Sequence, residues 1–355
     1  MKVMSIVGAR PQFVKLAPVA TAMAAHDDVE HVIVHTGQHY DPMLSDVFFR
    51  DLQIPSPDVH LEVGSAGHGK QTGAILARMD DVIAEQDPDW VLVYGDTNST
   101  LAGALSAVKL GAPVAHLEAG LRSFNRRMPE EHNRVLTDHA ADLCLAPTEV
   151  AMGHLRSEGL ADRSELVGDV MTDVLHLVAR RADHQPVVVA DRGWHDGDYY
   201  VATIHRAENT DDVARLDFVL RALAGLDRPV LLLAHPRLVA KAASAGLELA
   251  RGAIVPTAPL PYPELVAAVS RSAGVVTDSG GLQKEAFLLR VPCTTIRTET
   301  EWVETVELGW NVLANSESAV REAVLRPTPA ATDATPYGDG AAAVRVVDAL
   351  RRHAA

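Results

Sequence analysis

Three carboxylates of the sequence follow strand-like segments, at positions where they could transfer protons. Asp96 comes directly after the apolar run 91–95, Glu118 follows the run 113–117, and a third carboxylate lies in the segment 128–133. Carboxylates that are crowded together raise the pKa of at least one of them, which suits that group to acid–base work. Taken alone, Asp96 could be a helix cap and the third segment a good helix start. Three carboxylates converging on one edge predict an acid–base site.

Basic side chains follow strand-like segments in the same way. Arg10 and Lys15 lie in the turn and the first helix after the first of these segments. The other candidates flank the carboxylates or follow strands of the second half of the chain: Arg122, Arg126, Arg127, Arg134, His205, Arg206, His235 and Arg237. Each could be a solvated surface charge, but their shared position predicts that they face the same ligand as the carboxylates.

A phosphate-binding turn is predicted in the segment 275–285. A buried strand ends there, Ser279 can cap a helix, and Gly280 with Gly281 lets backbone amides approach an anion at the helix N-terminus. Glu285 lies about one turn into that helix and could accept two ribose hydroxyl groups if it points sideways. The alternative is a plain turn between a strand and a helix.

The elements that must position these residues alternate between short apolar runs and amphipathic helices. The clearest runs are 3–7, 31–36, 90–94, 113–117, 142–146, 199–204, 229–234, 274–277 and 293–296. Runs that are apolar on both faces predict parallel strands covered by helices on each side. We therefore predict an α/β protein of two Rossmann-like, doubly wound domains that face each other across a cleft. The predicted limits are 1–167 and 168–340, with a C-terminal helix, 341–355, that joins the first domain.

Composition narrows the partners. The 355 residues carry a net charge of −15, which disfavours nucleic acid or an anionic membrane as a partner. Two cysteines are too few for a disulfide framework, and no apolar run approaches the ~20 residues of a spanning helix. The N-terminal residues do not form a signal peptide. We expect a soluble protein of the reducing cytoplasm.

Three common site types are disfavoured. The stretch from Gly64 to Lys70 matches part of a phosphate loop, but Gln71 stands where Ser or Thr is needed, so a glycine-rich loop before a helix is the preferred interpretation. No Gly-x-Gly-x-x-Gly separates a strand from a helix, which argues against a dinucleotide cofactor. His132 and His139 lack zinc-site spacing, and we predict no metal.

Taken together, the motifs resemble those of the non-hydrolysing UDP-N-acetylglucosamine 2-epimerases, which have the two-domain GT-B fold. The resemblance extends over essentially the whole chain. In the first half it rests on the segments 8–15, 36–39, 95–97, 118–122 and 129–134. In the second half it rests on 205–209, 235–236, 277–281, Arg297 and 300–301. The resemblance implies a homodimer that needs no cofactor and acts on a small-molecule UDP-sugar.

The resemblance also implies residue roles. Asp96, Glu118 and Glu130 would be the acid–base carboxylates, and His205 would assist the leaving group. Ser279, Gly280 and Gly281 would hold phosphate, Glu285 the ribose, and the segment 261–265, with Leu265, the uracil. The remaining residues that the resemblance assigns to substrate binding are Arg10, Lys15, Arg122, Arg206, His235 and Arg297.

Some positions depart from the family pattern. Trp302 stands where many relatives have Arg, which removes one cation from the pocket. The segment 36–43 and Lys70 differ from the form that binds a second, activating UDP-sugar in regulated relatives. This variant of the motifs also resembles enzymes that act on UDP-2,3-diacetamido-glucuronic acid.

The chemistry of a 2-acetamido sugar favours one route. Its C2 hydrogen is not next to a carbonyl carbon of the ring, so simple deprotonation is too costly. Elimination of UDP to a 2-acetamidoglucal, followed by re-addition with C2 protonated from the other face, needs acid–base groups near C2 and cations on the diphosphate. The resemblance implies interconversion of UDP-GlcNAc and UDP-ManNAc, and this chemistry supports it. The alternatives are epimerisation of the diacetamido sugar, a hydrolysing 2-epimerase, a GT-B glycosyltransferase and a nucleotide-sugar-binding regulator.

Overall fold

The computed structural model describes residues 1–38, 54–182, 189 and 192–354. The chain forms two compact units, of which the first comprises Met1–Val174 with Thr335–Ala355 and the second Leu175–Ala334. None of the helices in the described stretches combines the length and the apolar character that a membrane span requires.

The first unit is built on a seven-stranded parallel sheet. Its strands are β1 (Lys2–Val7), β2 (Glu30–His35), β3 (Val59–His60), β4 (Trp90–Tyr94), β5 (Val114–Leu117), β6 (Leu143–Ala146) and β7 (Ser164–Leu166). Their spatial order is β3-β2-β1-β4-β5-β6-β7, so the order reverses between β1 and β4. Such a reversal opens a crevice at the carboxyl ends of the two strands, where open α/β sheets bind ligands.

Helices connect these strands. They are α1 (Arg10–Ala24), α2 (His68–Gln86), α3 (Asn98–Leu110), α4 (Pro129–Ala140) and α5 (Glu149–Ser157). The next helix, α6 (Val170–Ala182), follows β7 and extends past Val174, where this part of the first unit ends. Small residues let α3 lie close to the sheet, as its composition predicts. A Cβ atom at Gly103 would be 2.7 Å from Cδ1 of the buried Ile6 on β1. This close packing fixes the N-terminus of α3, and with it the turn that carries Asp96.

The second unit repeats the architecture with six parallel strands. They are β8 (Tyr200–Thr203), β9 (Val230–Leu233), β10 (Ile254–Thr257), β11 (Gly274–Thr277), β12 (Cys293–Thr295) and β13 (Asn311–Leu313). The order is β10-β9-β8-β11-β12-β13, which reverses between β8 and β11. The helices are α7 (Ala207–Thr210), α8 (Val213–Ala224), α9 (Pro236–Ser244), α10 (Tyr262–Ser270), α11 (Gly280–Leu288), α12 (Val303–Glu307) and α13 (Glu317–Val324).

The last helix, α14 (Ala342–His353), belongs to the first unit. Its N-terminal amides, from Ala342 and Ala343, donate to the Asp173 carboxylate at 3.1 and 2.7 Å. Near its other end, the indole of Trp90 donates to the carbonyl of Leu350 at 3.1 Å. Because a carboxylate at a helix N-terminus is favourable, Asp173 holds the start of α14 in place.

The two doubly wound sheets predicted from the sequence are confirmed, and each predicted run contains a strand. Four strands lie outside the predicted runs, namely β3, β7, β10 and β13, and each lies at an edge of its sheet. Edge strands are short and only partly buried, so their sequences lack the continuous apolar character of the central strands. β10 also contains Pro256, which a central strand would exclude.

Candidate active site

The turn after β1 approaches the neighbouring strand ends so closely that only glycine fits. A Cβ atom at Gly8 would overlap the hydroxyl oxygens of Thr36 and Ser99. Those two hydroxyl groups lie 2.8 Å apart, and Ser99 also donates to the side-chain oxygen of Gln38 at 2.6 Å. Gly8, the first residue of the motif segment 8–15, is therefore required because a larger residue would not fit at the crevice.

Gln12 fastens this turn to the end of β4. Its amide oxygen accepts from the backbone N–H groups of Gly8 and Ala9 at 2.8 and 3.0 Å. Its amide nitrogen donates to the Tyr94 carbonyl at 2.9 Å and to the Thr100 hydroxyl at 3.1 Å. The side chain is buried and uses both its acceptor and its donors. Gln12 was not among the predicted site residues, because its role depends on burial and on contacts that only the folded chain provides.

Glu118 and Lys15 form an ion pair at the end of β5. Glu118 has a positive φ of 75°, which is uncommon for a residue other than glycine. A Cβ atom at Gly95 would be 3.1 Å from Glu118 Oε2 and 3.3 Å from Lys15 Nζ, so both groups lie against the residue before Asp96. Burial opposes the charge of Lys15, but Glu118, Asp169 and Asp96 outweigh it and raise the pKa of Lys15. Lys15 is therefore a permanent cation at this edge.

Asp96 does not serve as the helix cap that the sequence left open. Thr97 is the N-cap of α3 and accepts from the Thr100 amide at 3.3 Å. The Asp96 carboxylate instead pairs with Arg134 on α4, and its backbone carbonyl accepts from the Asn133 side chain at 2.9 Å. Asp96 thus remains partly exposed and is held from two sides.

The two acids at the start of α4 have different surroundings. Glu131 is buried and accepts from the Ser123 and Phe124 amides at 3.0 and 2.8 Å, while also pairing with Arg134 at 3.0 Å. It thereby closes the loop before α4. Glu130 is half-buried in the first turn of α4. The sequence did not predict that Glu131 would be buried and hold the loop while its neighbour Glu130 stays more accessible.

Arg122 is occupied within its own unit. Its guanidinium pairs with Asp138 at 2.7 Å and with both oxygens of Glu158 at 2.7 and 2.8 Å, and its side chain is 1% exposed. Two buried or half-buried carboxylates therefore compete for the donors that a substrate would need. These contacts assign Arg122 to positioning, and they do not support the prediction that it binds substrate.

Asp138 is the centre of a buried network that the sequence did not indicate. It lies on α4, is fully buried, and accepts from Arg122 and from the Gly120 amide at 3.0 Å. It also faces His116 Nδ1 at 2.6 Å, while the other ring nitrogen of His116 faces the Gly95 carbonyl at 2.7 Å. Both ring nitrogens of His116 thus have an oxygen atom within hydrogen-bond distance. Asp138 thus joins the ends of β4 and β5.

A second buried aspartate organises the other unit. Asp278 follows β11, is fully buried, and accepts from the backbone amides of His205 and Arg206 at 3.1 and 3.0 Å. The Asn209 side chain donates to the same carboxylate at 3.0 Å. The His205 ring is 41% exposed, with its centroid 6.0 Å from that of His235. The backbone of His205 is fixed while its imidazole stays accessible.

The phosphate turn predicted after β11 has the expected local structure. Ser279 is the N-cap of α11, its hydroxyl accepting from the Leu282 amide at 3.5 Å. Gly280 and Gly281 begin the helix. Arg206 and Arg297 approach this turn through a shared partner, Glu301, at 3.6 and 2.7 Å. A helix N-terminus with two cations nearby is suited to an anion.

A cavity of about 320 Å³ adjoins this turn. Its lining includes the predicted residues His205, His235, Leu265, Ser279, Gly281 and Glu285. The Glu285 carboxylate accepts from the Tyr262 hydroxyl at 3.0 Å. Burial raises the pKa of Glu285 in spite of this hydrogen bond and the nearby Lys284. The cavity combines apolar walls with a few polar groups, as small-molecule sites do.

Two predicted features lie wholly or partly outside the described residues. Arg10 is the first residue of α1, but its side chain is not described, and neither are residues 39–43 of the motif segment 36–43, which follows β2. The segment 64–67 precedes α2, which begins at His68, so the preferred interpretation of a glycine-rich loop is confirmed. Trp302 packs against the Lys284 ammonium, which lies 4.7 Å from its ring centroid.

Comparison with known proteins identifies the family. A family model described as UDP-N-acetylglucosamine 2-epimerase matches residues 21–351. A Pseudomonas aeruginosa protein named UDP-2,3-diacetamido-2,3-dideoxy-D-glucuronate 2-epimerase is 45% identical over 361 residues, covering 99% of this chain and 100% of the relative. The chain therefore belongs to the UDP-N-acetylglucosamine 2-epimerase family, as its motifs implied, and this membership supports an isomerase.

Solved structures agree with this assignment. The UDP-GlcNAc 2-epimerase of Methanocaldococcus jannaschii is 36% identical, with a TM-score of 0.89 over 99% of this chain and 100% of the other. A structure of the same relative in complex with UDP-GlcNAc and UDP has a TM-score of 0.79 over the same shares of the two chains. The predicted GT-B class of fold is thereby confirmed.

The buried network around Asp138 predicts that its loss will destabilise the protein. We expect Asp138→Asn to lower the free energy of unfolding at pH 7 by about 3–5 kcal/mol, because Arg122 and His116 lose a buried charged partner. The reference substitution Asp28→Asn, at an exposed pair with Arg351, should cost under about 0.5 kcal/mol. Urea unfolding measures both, and equal stabilities for the two variants would contradict the role of Asp138.

The same substitution should change the acid sensitivity. Burial opposes the charge of Asp138, but His116 and Arg122 outweigh it and lower its pKa from the ordinary value of 3.8. A carboxylate with a lowered pKa stabilises the fold above its unfolded-state pKa and loses that effect as the pH falls through its folded-state pKa. The difference between the wild type and Asp138→Asn should therefore shrink as the pH falls below 3.8.

Proposed function

We propose that this protein is a non-hydrolysing 2-epimerase that interconverts UDP-GlcNAc and UDP-ManNAc. The observation that carries the proposal is the pair of carboxylates at the ends of β4 and β5. Asp96 is paired with Arg134, Glu118 is paired with Lys15, and the Glu118–Lys15 pair lies against Gly95, which precedes Asp96. Two acids that follow adjacent strands, each paired with its own cation, suit a reaction that removes and returns a proton.

The proposed reaction has two balanced halves. A carboxylate takes the proton from C2 while the bond between C1 and the phosphate oxygen breaks, so UDP leaves with the bonding electrons and C1=C2 forms. UDP then attacks C1 of the 2-acetamidoglucal, and C2 receives a proton on the opposite face. Asp96, Glu118 and Glu130 would supply the acid–base groups, and the ion pair with Lys15 would hold the Glu118 carboxylate in position.

The second unit would bind the nucleotide. The cavity beside α11 has the apolar wall at Leu265 and the Glu285 carboxylate that uracil and ribose require. Ser279, Gly280 and Gly281 would bind the diphosphate at the helix N-terminus. His205 would stabilise the charge that develops on the leaving phosphate, since its exposed ring lies beside this turn. Residues Arg10, Arg206, His235 and Arg297 complete the proposed substrate-binding set.

A second sugar is a specific alternative. The Pseudomonas aeruginosa relative is named as a 2-epimerase of a UDP-diacetamido-glucuronate, which supports testing that substrate beside UDP-GlcNAc. A hydrolysing epimerase would release free ManNAc and UDP, and a glycosyltransferase would leave the sugar isomer unchanged without an acceptor. A cytoplasmic homodimer belongs to the same proposal.

The first test is proton NMR of the purified protein with UDP-GlcNAc in D₂O, with no metal, NAD or acceptor added. We expect UDP-ManNAc to appear, with deuterium at C2 of both sugars, because the proton removed from C2 exchanges with solvent. If only the diacetamido-uronic acid substrate is epimerised, the sugar assignment changes and the reaction stands. No turnover of either sugar would overturn the proposed function.

The second test concerns the carboxylates. Asp96→Asn and Glu118→Gln should each lower kcat by about 10²- to 10⁴-fold, because the variants cannot accept a proton from C2. Glu30→Gln is the matched control, since Glu30 is an exposed, ion-paired acid at the start of β2, the amino end of the same sheet. Steady-state kinetics decide the matter, and near-normal turnover in both site variants would rule out their assignment.

A further inference from the structure

A carboxylate lies within the turn to which the proposed function assigns the diphosphate. Glu301 Oε2 is 2.7 Å from Arg297, Glu301 Oε1 is 3.6 Å from Arg206, and Oε1 fills the space that a Cβ atom at Gly280 would take. Gly280 is the first residue of α11. The carboxylate therefore lies beside the first residue of α11 and pairs with two guanidinium groups, which is the position that an anionic ligand of this turn would take.

The partners of Glu301 differ in how firmly they are held. The Arg297 side chain is 7% exposed, whereas that of Glu301 is 46% exposed. Arg297 Nε is buried and has no hydrogen-bond partner among the described residues, so this guanidinium retains an unused donor. Because the Glu301 carboxylate is half exposed, water can replace its arginine partners when it moves away. Glu301 can therefore leave while Arg297 stays in place.

Glu301 remains charged at neutral pH. Partial burial opposes the charge, but the hydrogen bond from Arg297 and the charges of Arg297 and Arg206 lower the pKa of Glu301. A carboxylate and a phosphate cannot share the same donors, because they would repel each other as well as overlap.

We propose that Glu301 is an internal competitor of the substrate diphosphate, which binds only when Glu301 gives up Arg206 and Arg297. This inference rests on the proposed function, which assigns the turn at α11 to phosphate. A ligand that requires a minor arrangement of its site binds more weakly by the fraction of molecules in that arrangement. Glu301 thus weakens binding of UDP and of the UDP-sugar alike, which favours release of product.

Calorimetric titration of the full-length protein with UDP, and separately with inorganic pyrophosphate, tests the inference. Glu301→Gln should bind both probes about ten-fold more tightly than the wild type, since Gln is a poorer partner for the two arginines. Glu317→Gln provides the matched control, because Glu317 is an exposed acid, paired with Arg221 at 2.9 Å, whose substitution changes the net charge equally. Its affinities should stay within about two-fold of the wild type, as surface charges far from a site have small effects.

The outcomes separate this inference from the proposal on which it rests. Unchanged or weaker binding by Glu301→Gln, with normal UDP binding by the wild type, would overturn the competitor role alone. Weaker binding would make Glu301 a residue that positions the two arginines. If Glu317→Gln bound UDP and pyrophosphate as tightly as Glu301→Gln, the tighter binding would come from the change in net charge, and the inference would also be overturned. A wild type that does not bind UDP would contradict the proposed nucleotide site itself.

Discussion

A buried carboxylate must be surrounded by donors, and this constraint shapes the candidate site in both units. Asp138 and Asp278 have no exposed surface, and an unpaired charge there would cost several kcal/mol. Asp138 gathers Arg122, His116 and the Gly120 amide, and His116 in turn reaches the Gly95 carbonyl. Asp278 gathers the amides of His205 and Arg206 with the side chain of Asn209. The buried contacts of Asp138 and Asp278 thus fix the strand ends that carry the proposed catalytic groups.

The groups that hold the backbone in place are therefore different from the groups proposed to react. The fully buried acids hold the backbone, while Asp96, Glu118 and His205 keep partial contact with solvent. Asp96 and Glu118 each pair with a cation, so a chain with a net charge of −15 has basic groups beside its proposed catalytic acids. An anionic substrate of the proposed reaction could use these basic groups.

The parts of the fold that depend on local sequence were predictable. Buried central strands such as β4 and β11 are continuous apolar runs, and their ends identified Asp96, Glu118 and Ser279. Edge strands were missed because partial burial leaves no such pattern. Asp138, Gln12 and Glu301 were missed because their roles depend on contacts between residues far apart in the chain. The contacts of Arg122 with Asp138 and Glu158 were not predictable either, because only the folded chain brings these residues together.

The central claim is that the bond between C1 and the phosphate oxygen breaks and forms again during epimerisation. Positional isotope exchange tests it directly, using UDP-GlcNAc labelled with oxygen-18 in the bridge between C1 and the β-phosphorus. The account predicts that the label moves into the non-bridging β-phosphate positions while the sugar epimerises, because UDP is free to rotate before it adds back. Epimerised sugar that keeps all of its label in the bridge would contradict the elimination mechanism.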